Sequence, residues 1–127
     1  MNLNQVTLPS LDIPRSIEFY CRMGFTLIVE SPEYARFECP DQGSTFSVHL
    51  VSEVLDNSGF VIYFESDQLD ELVMELQDKG IEFDQLPRDE SWLWREARLK
   101  DPDSNTVCLY HAGENRRFPP WRVDMSD

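Results

Sequence analysis

The chain has 127 residues, 41% of them hydrophobic and 28% charged, with a formal net charge of −13. That size fits one domain whose core can fold without disulfides or metal, and the charge argues against nucleic acid or an anionic membrane as partner, since both would repel it. Three cysteines, an odd number without framework spacing, point to reduced thiols and a cytoplasmic protein.

In chain order, the start "MNLNQVTLPS" has neither the basic opening nor the apolar run of a signal peptide, and no apolar run is long enough to span a bilayer. Val6 and Leu8 then alternate with Gln5 and Thr7 in a first predicted strand. A turn leads to an amphipathic helix whose apolar residues Ile13, Ile17 and Tyr20 recur at i, i+4 and i+7. Gly24 falls at the helix end, where a left-handed cap is expected, and another strand begins at Phe25. "ARFECPD" (35–41), a turn and "TFSVHLV" (45–51) complete the first half, and "SEVLDNSG" (52–59) is a short linker.

The pattern then returns. Residues 62–83 align on residues 6–27 without a gap: Val6 and Leu8 fall on Ile62 and Phe64, while Ile13, Ile17 and Tyr20 fall on Leu69, Val73 and Leu76. Gly24 falls on Gly80, and "ARLKDPD" (97–103) matches "ARFECPD". The second copy is longer by a few residues, placed in a polar loop around "PRDESW" (87–92), and closes with the strand "TVCLYHA" (106–112). The chain is thus a single α+β domain of two tandem βαβββ modules, 1–51 and 60–112, followed by a tail, 113–127. Neither module can bury its sheet face alone, so both are expected to join one mixed sheet curled around a central cavity. In the tail, "RFPPW" (117–121) is polyproline-like, with Phe118 and Trp121 expected to dock on the body of the domain or on a second subunit.

The segments "NQVTLPSLDIPRSIEFY" with "MGFTLIV", "IYFESDQLDELVMELQDKGIEF" and "ARLKDPDSNTVCLY" resemble the vicinal oxygen chelate superfamily. Glyoxalase I, bleomycin-resistance proteins, extradiol dioxygenases and fosfomycin-resistance enzymes belong to it. The tail "AGENRRFPPWRV" is similar to that of small glyoxalase-like bacterial proteins. The resemblance implies helices on the convex face of the sheet and a ligand cavity on the concave face. Alternation then places Val6, Leu8, Phe37, Ile62, Phe64, Leu99, Val107 and Leu109 under the helices. Gln5, Thr7, Tyr34, Arg36, Glu38, Ser47 and His49 of the first module face the cavity, with Tyr63, Glu65, Trp94, Glu96, Arg98, Cys108 and Tyr110 of the second. A sheet face so polar and so rich in aromatic rings points to a ligand pocket.

Metal-dependent relatives take one ligand from the first and one from the last strand of each half. Here those positions are Gln5, Ser47 or His49, Val61 and Cys108. Val61 has no donor atom and Cys108 stands where a glutamate is usual, so the resemblance implies a lost divalent-metal site and no cofactor. The expected function is binding of a small polar organic molecule through Gln5, Thr7, Arg36, Ser47, Tyr63, Trp94, Arg98, Cys108 and Tyr110. In a catalytic version His49 and Glu96 would transfer protons, whereas Arg36 and Arg98 would either clamp an anion or pair internally with Glu38 and Glu96. Trp92 and Trp94 suggest a hydrophobic lid, and Cys21 and Cys39 are expected in the core. The competing readings are a metal-dependent lyase or dioxygenase-like enzyme using Gln5, His49 and a cavity glutamate, and a non-catalytic sequestering domain. A homodimer is the expected assembly.

Overall fold

A strand that buries one face must send its alternate side chains to the other, and this rule organises every strand of the computed structural model, which describes residues 1–40, 43–53 and 59–124. The first module forms β1 (Gln5–Ser10), α1 (Ile13–Arg22), β2 (Thr26–Ser31), β3 (Tyr34–Glu38) and β4 (Thr45–Leu50). The second forms β5 (Val61–Glu65), α2 (Leu69–Asp78), β6 (Gln85–Asp89), β7 (Arg95–Lys100) and β8 (Thr106–His111), followed by a single 3-10 turn, Gly113–Asn115. Each module is therefore βαβββ, as the repeat requires.

The strands are arranged as two four-stranded sheets, β1-β4-β3-β2 and β5-β8-β7-β6, in place of the one continuous sheet expected from the repeat. In the first sheet β1 runs parallel to β4, and β3 is antiparallel to both β4 and β2. The chain divides into two compact units, Met1–Val61 with Lys100–Thr106 and Ile62–Leu99 with Val107–Asp127. Most of the linker expected at 52–59 lies outside the described residues.

Both helices end alike. At α1 the Gly24 N–H donates to the Cys21 carbonyl and the Phe25 N–H to the Tyr20 carbonyl; at α2 Gly80 donates to Gln77 and Ile81 to Leu76. This pattern needs a left-handed residue, and Gly24 and Gly80 supply it with φ of +105° and +86°. Asp12 caps the start of α1, accepting from the Arg15 N–H at 3.1 Å, and Pro14 costs nothing in a first turn whose N–H groups have no helical partner.

The first unit's core is aromatic. Tyr20, 0% exposed, lies 4.9 Å from Phe46 and 5.4 Å from Phe37 between ring centroids, and Phe37 and Phe46 stack at 5.0 Å. Leu8 and Val48 extend this buried face. In the second unit Leu69, Val73 and Leu76 of α2 are buried, as are Ala97, Leu99, Val107 and Leu109 on the strands. Full burial of one such side chain stabilises by about 1.5–3 kcal/mol.

Three local expectations change. Residues 87–89 of the presumed loop belong to β6, where the pairing with β7 shifts between Gln85 and Arg88. Pro87 lacks an N–H, and the edge position of β6 tolerates that loss. Cys21 is exposed, because it lies off the buried stripe of α1. Phe118 and Trp121 are 55% and 56% exposed and do not dock on the body; Arg117 and Arg122 lie over the Phe118 ring instead, at 5.2 and 4.5 Å.

The turn between β7 and β8 is a buried polar knot on α1. Asp101 Oδ1 accepts from the Asp103 and Asn105 N–H groups, and its Oδ2 accepts from the Tyr20 hydroxyl at 2.6 Å and from Asn105 Nδ2. Asp103 Oδ1 accepts from the Leu11 N–H and from Arg15 Nη2 at 2.8 Å. Burial, reinforced by the charge of Asp101, raises the Tyr20 phenol well above its ordinary range. A raised folded-state value means that Tyr20 stabilises the fold fully at pH below about 10, where an unfolded tyrosine ionises, and loses that contribution as pH climbs further. In urea unfolding, Tyr20→Phe is expected to cost about 1–3 kcal/mol near neutral pH, with a smaller difference from the parent above pH ~10. A difference that grows with alkalinity would contradict this assignment.

Candidate functional site

Each sheet carries a polar face opposite its buried one, and the site residues expected from the sequence fall into two groups, one on each sheet. On the first sheet the register sets Thr7, Ser47 and Arg36 in one row and Pro9, His49 and Tyr34 in the next. These rows hold a connected chain of hydrogen bonds. Gln5 Nε2 donates to Ser47 Oγ at 2.7 Å, Ser47 Oγ meets the Tyr34 hydroxyl at 2.5 Å, and Arg36 Nε donates to that hydroxyl at 3.0 Å. Ser47 is fully buried and Arg36 half-buried. Burial alone would raise the Tyr34 phenol; the hydrogen bonds from Ser47 and Arg36 and the charge of Arg36 outweigh it and lower the value. Thr7 and His49 are exposed, and the His49 side chain makes no hydrogen bond or ion pair among the described residues.

The second face is built differently. Glu96 is 1% exposed, an unusual place for a carboxylate on a sheet face. Both its oxygens are engaged: Oε1 accepts from Arg98 Nη2 at 3.0 Å and more weakly from Nε, and Oε2 accepts from the Trp92 indole N–H at 2.7 Å. Beside this pair stands an aromatic group. Trp94 stacks on Tyr110 at 4.7 Å, and Tyr63 meets both rings edge-on, at 5.9 and 5.5 Å. The Trp94 indole N–H donates to the Asn115 carbonyl in the 3-10 turn, which fixes the ring, and Tyr63 remains 43% exposed. Burial, then the charge of Glu65, raises the Tyr110 phenol.

The two arginines that occupy matching positions in the repeat have diverged. Arg98 is tied into an ion pair with Glu96, whereas Arg36 has no carboxylate within ion-pair distance among the described residues. Trp92 holds Glu96 through its indole N–H. Sequence reading placed Tyr34 on the polar face but assigned it no role. The available signal was Tyr34 two residues before Arg36, on one strand face opposite Ser47, which brings a phenol, a guanidinium and a hydroxyl together.

The donor chemistry does not fit a resident divalent metal. Cys108 is fully buried; desolvation first, then the charge of Glu96, pushes its thiol up to about 12, so it stands as a neutral thiol whose proton a metal would have to displace. Val61 offers no donor, and the Gln5 amide is occupied by Ser47 and Thr45. Among the described residues no group of three or more His, Cys, Asp or Glu side chains is placed to hold an ion.

A duplicated βαβββ unit with a helix-covered face and a polar face on each sheet defines the class of protein. The chain matches the family model of the Glyoxalase/Bleomycin resistance protein/Dioxygenase superfamily over residues 2–109, and it belongs to that superfamily. The uncharacterized protein YraH of Bacillus subtilis (strain 168) is 27% identical over 128 aligned positions, covering 87% of this chain and 98% of YraH. Among solved structures, a glyoxalase/bleomycin resistance protein/dioxygenase from Nocardioides superposes with a TM-score of 0.76 at 21% identity, covering 98% of this chain and 90% of its own. A bleomycin-binding protein complexed with bleomycin gives 0.74 at 22% identity, covering 87% of this chain and 98% of its own. At these identities the structural likeness concerns the fold.

Thiol chemistry offers a direct check. In native protein at mildly alkaline pH, iodoacetamide is expected to label Cys21 first and to leave Cys108 unmodified until the chain unfolds, read by peptide mass spectrometry. Rapid native labelling of Cys108 would show a reactive thiol and contradict the geometry.

Proposed function

We propose that this protein binds a small polar organic molecule carrying a flat ring on the polar faces of its sheets, without a divalent metal. The observation that carries the reading is the ordered group of Tyr63, Trp94 and Tyr110 next to an arginine held by a buried carboxylate. Rings fixed in edge-on and stacked geometry present apolar area at little entropic cost, and Tyr63 leaves part of it open to solvent. Arg98 keeps Nη1 free of any partner among the described residues, and its Glu96 anchor fixes the direction in which it donates. In this reading Glu96 acts by holding Arg98 in place and not by proton transfer, and His49 is the exposed titratable group beside Tyr34.

The binding-only reading is favoured over a lyase or dioxygenase-like one because Val61 offers no donor, no group of three or more metal-ligating side chains gathers among the described residues, and Glu96 has both oxygens engaged. Likeness to a bleomycin-binding protein supplies the first probe. A cytoplasmic location, with three free cysteines, and pairing of two copies through the exposed Phe118 and Trp121 complete the proposal.

Isothermal calorimetry with chelator-treated protein tests it, using metal-free bleomycin and 2-naphthoate as probes. Saturable binding of at least one probe is expected, unchanged by added zinc or manganese. Tyr63→Ala is expected to weaken it about tenfold by removing the exposed ring. Absence of binding by both probes, or binding only after metal is added, would overturn the proposal. A stability measurement probes the same group: Arg98→Met, which leaves the Glu96 carboxylate buried and unpaired, is expected to cost about 3–5 kcal/mol in urea unfolding, and more than Glu96→Gln. A cost below that of Glu96→Gln would contradict the burial described for this pair.

A further inference from the structure

The direction of the hydrogen bonds around Tyr34 leaves one proton without a partner. Thr45 Oγ1 bonds to Gln5 Oε1, which turns the amide so that Nε2 donates to Ser47 Oγ. Either hydroxyl can donate across the 2.5 Å contact between Ser47 and Tyr34; with Gln5 donating to Ser47 Oγ, the arrangement that pairs the buried Ser47 hydrogen sends it to the Tyr34 oxygen. That oxygen also accepts from Arg36 Nε at 3.0 Å. In that arrangement both of its lone pairs are taken by donors within the sheet, and the phenol hydrogen is left to donate outward.

Arg36 is in a similar position. Only its Nε has a partner, and the guanidinium carbon lies 5.4 Å from the centroid of the Tyr34 ring, leaving the two terminal nitrogens uncommitted among the described residues. In a protein with 24 acidic residues, an unpaired half-buried arginine on a polar sheet face is an exception that asks for an occupant. The neighbouring titratable groups on this face are Glu38 on the same strand, which forms no ion pair with Arg36, and His49 directly across from Tyr34 on β4. β1 contributes Gln5 and Thr7, and β2 sets Val29 opposite Arg36 and Ser31 opposite Tyr34, none of them charged.

We propose that Tyr34 and Arg36 form a subsite for an anionic oxygen group of the ligand, a carboxylate or a phosphate. Arg36 supplies charge and two N–H donors, and Tyr34 supplies a third, prearranged by Ser47 and Gln5. The overall acidity of the chain does not forbid this. Carboxylates farther away than the screening length, about 8 Å at physiological salt, act weakly on a group in contact with the guanidinium. The proposal rests on the ligand-binding reading of the polar faces and adds the chemistry of one of them.

The test follows the phenol itself by NMR of the full chain labelled at tyrosine Cζ, titrated from neutral pH upward at constant ionic strength. Solutions contain chloride alone, inorganic phosphate or acetate. The Tyr34 signal, identified by its loss in Tyr34→Phe, is expected to titrate below those of Tyr20 and Tyr110, which burial raises. Phosphate or acetate should move that midpoint upward, because a bound anion opposes the phenolate, and whichever anion acts tells a phosphate from a carboxylate ligand. Arg36→Gln is expected to raise the midpoint in chloride and to weaken the anion response about tenfold. Arg36→Lys, which keeps the charge and loses the fork, should retain part of that response, while thermal melts of both variants report whether the fold is intact. A Tyr34 midpoint that neither anion moves, or an anion response unchanged in Arg36→Gln, would overturn the subsite. Because calorimetry with bleomycin and 2-naphthoate reads ligand binding separately, an unmoved Tyr34 with intact calorimetric binding rejects this subsite alone.

Discussion

Each four-stranded sheet has one buried apolar face, and that limit governs the rest. Phe37, Phe46, Leu8 and Val48 are committed to the buried face of the first sheet, where Phe37 and Phe46 meet Tyr20 of α1. Their alternates have no second apolar layer within the unit, so they are free to be polar, and they are. The second sheet divides in the same way, with Ala97, Leu99, Val107 and Leu109 buried and Glu96, Arg98, Cys108 and Tyr110 as alternates. Several of those alternates are nevertheless buried. Ser47, Glu96 and Cys108 are each at most 1% exposed, so their bonding has to be settled inside the protein.

The two copies settle it by different means. The first uses neutral donors in a row, Gln5 to Ser47 to Tyr34, with Arg36 closing the row and its far side open. The second uses charge against charge, Glu96 with Arg98, and adds an indole donor from Trp92. Duplication supplied an arginine at the same place in each half; the partner beside it decided whether the charge was neutralised. Cys108 follows from the second arrangement. Placed next to a buried carboxylate, it is held as a neutral thiol, with its value pushed up to about 12, which makes it a poor nucleophile.

Much of this was legible in the sequence, because repetition at a fixed offset exposes the module and alternation within each strand sorts its faces. The matched glycines Gly24 and Gly80 end both helices with the same pair of hydrogen bonds. Less could be read where the outcome depends on three-dimensional pairing. β6 takes in residues 85–89, although Pro87 and the polar neighbours read as a loop, because an edge strand needs few ladder bonds. Whether Arg36 pairs with Glu38 or stays open is a matter of rotamer and register, which residue spacing does not encode. The same holds for Trp92, whose indole reaches back four residues to Glu96. Phe118 and Trp121 remain exposed, with the tail's own arginines lying over the Phe118 ring.

The central claim is that ligand is held on the faces opposite the buried ones. Chemical-shift mapping on nitrogen-15-labelled protein titrated with metal-free bleomycin and with 2-naphthoate tests this most directly. The account predicts saturable shifts concentrated at Tyr63, Trp94, Arg98 and Tyr110 on the second sheet and at Tyr34 and Arg36 on the first, with α1 and α2 left in place. Shifts centred on the exposed sides of α1 and α2, or on the tail around Trp121, with those strand positions unmoved, would contradict it.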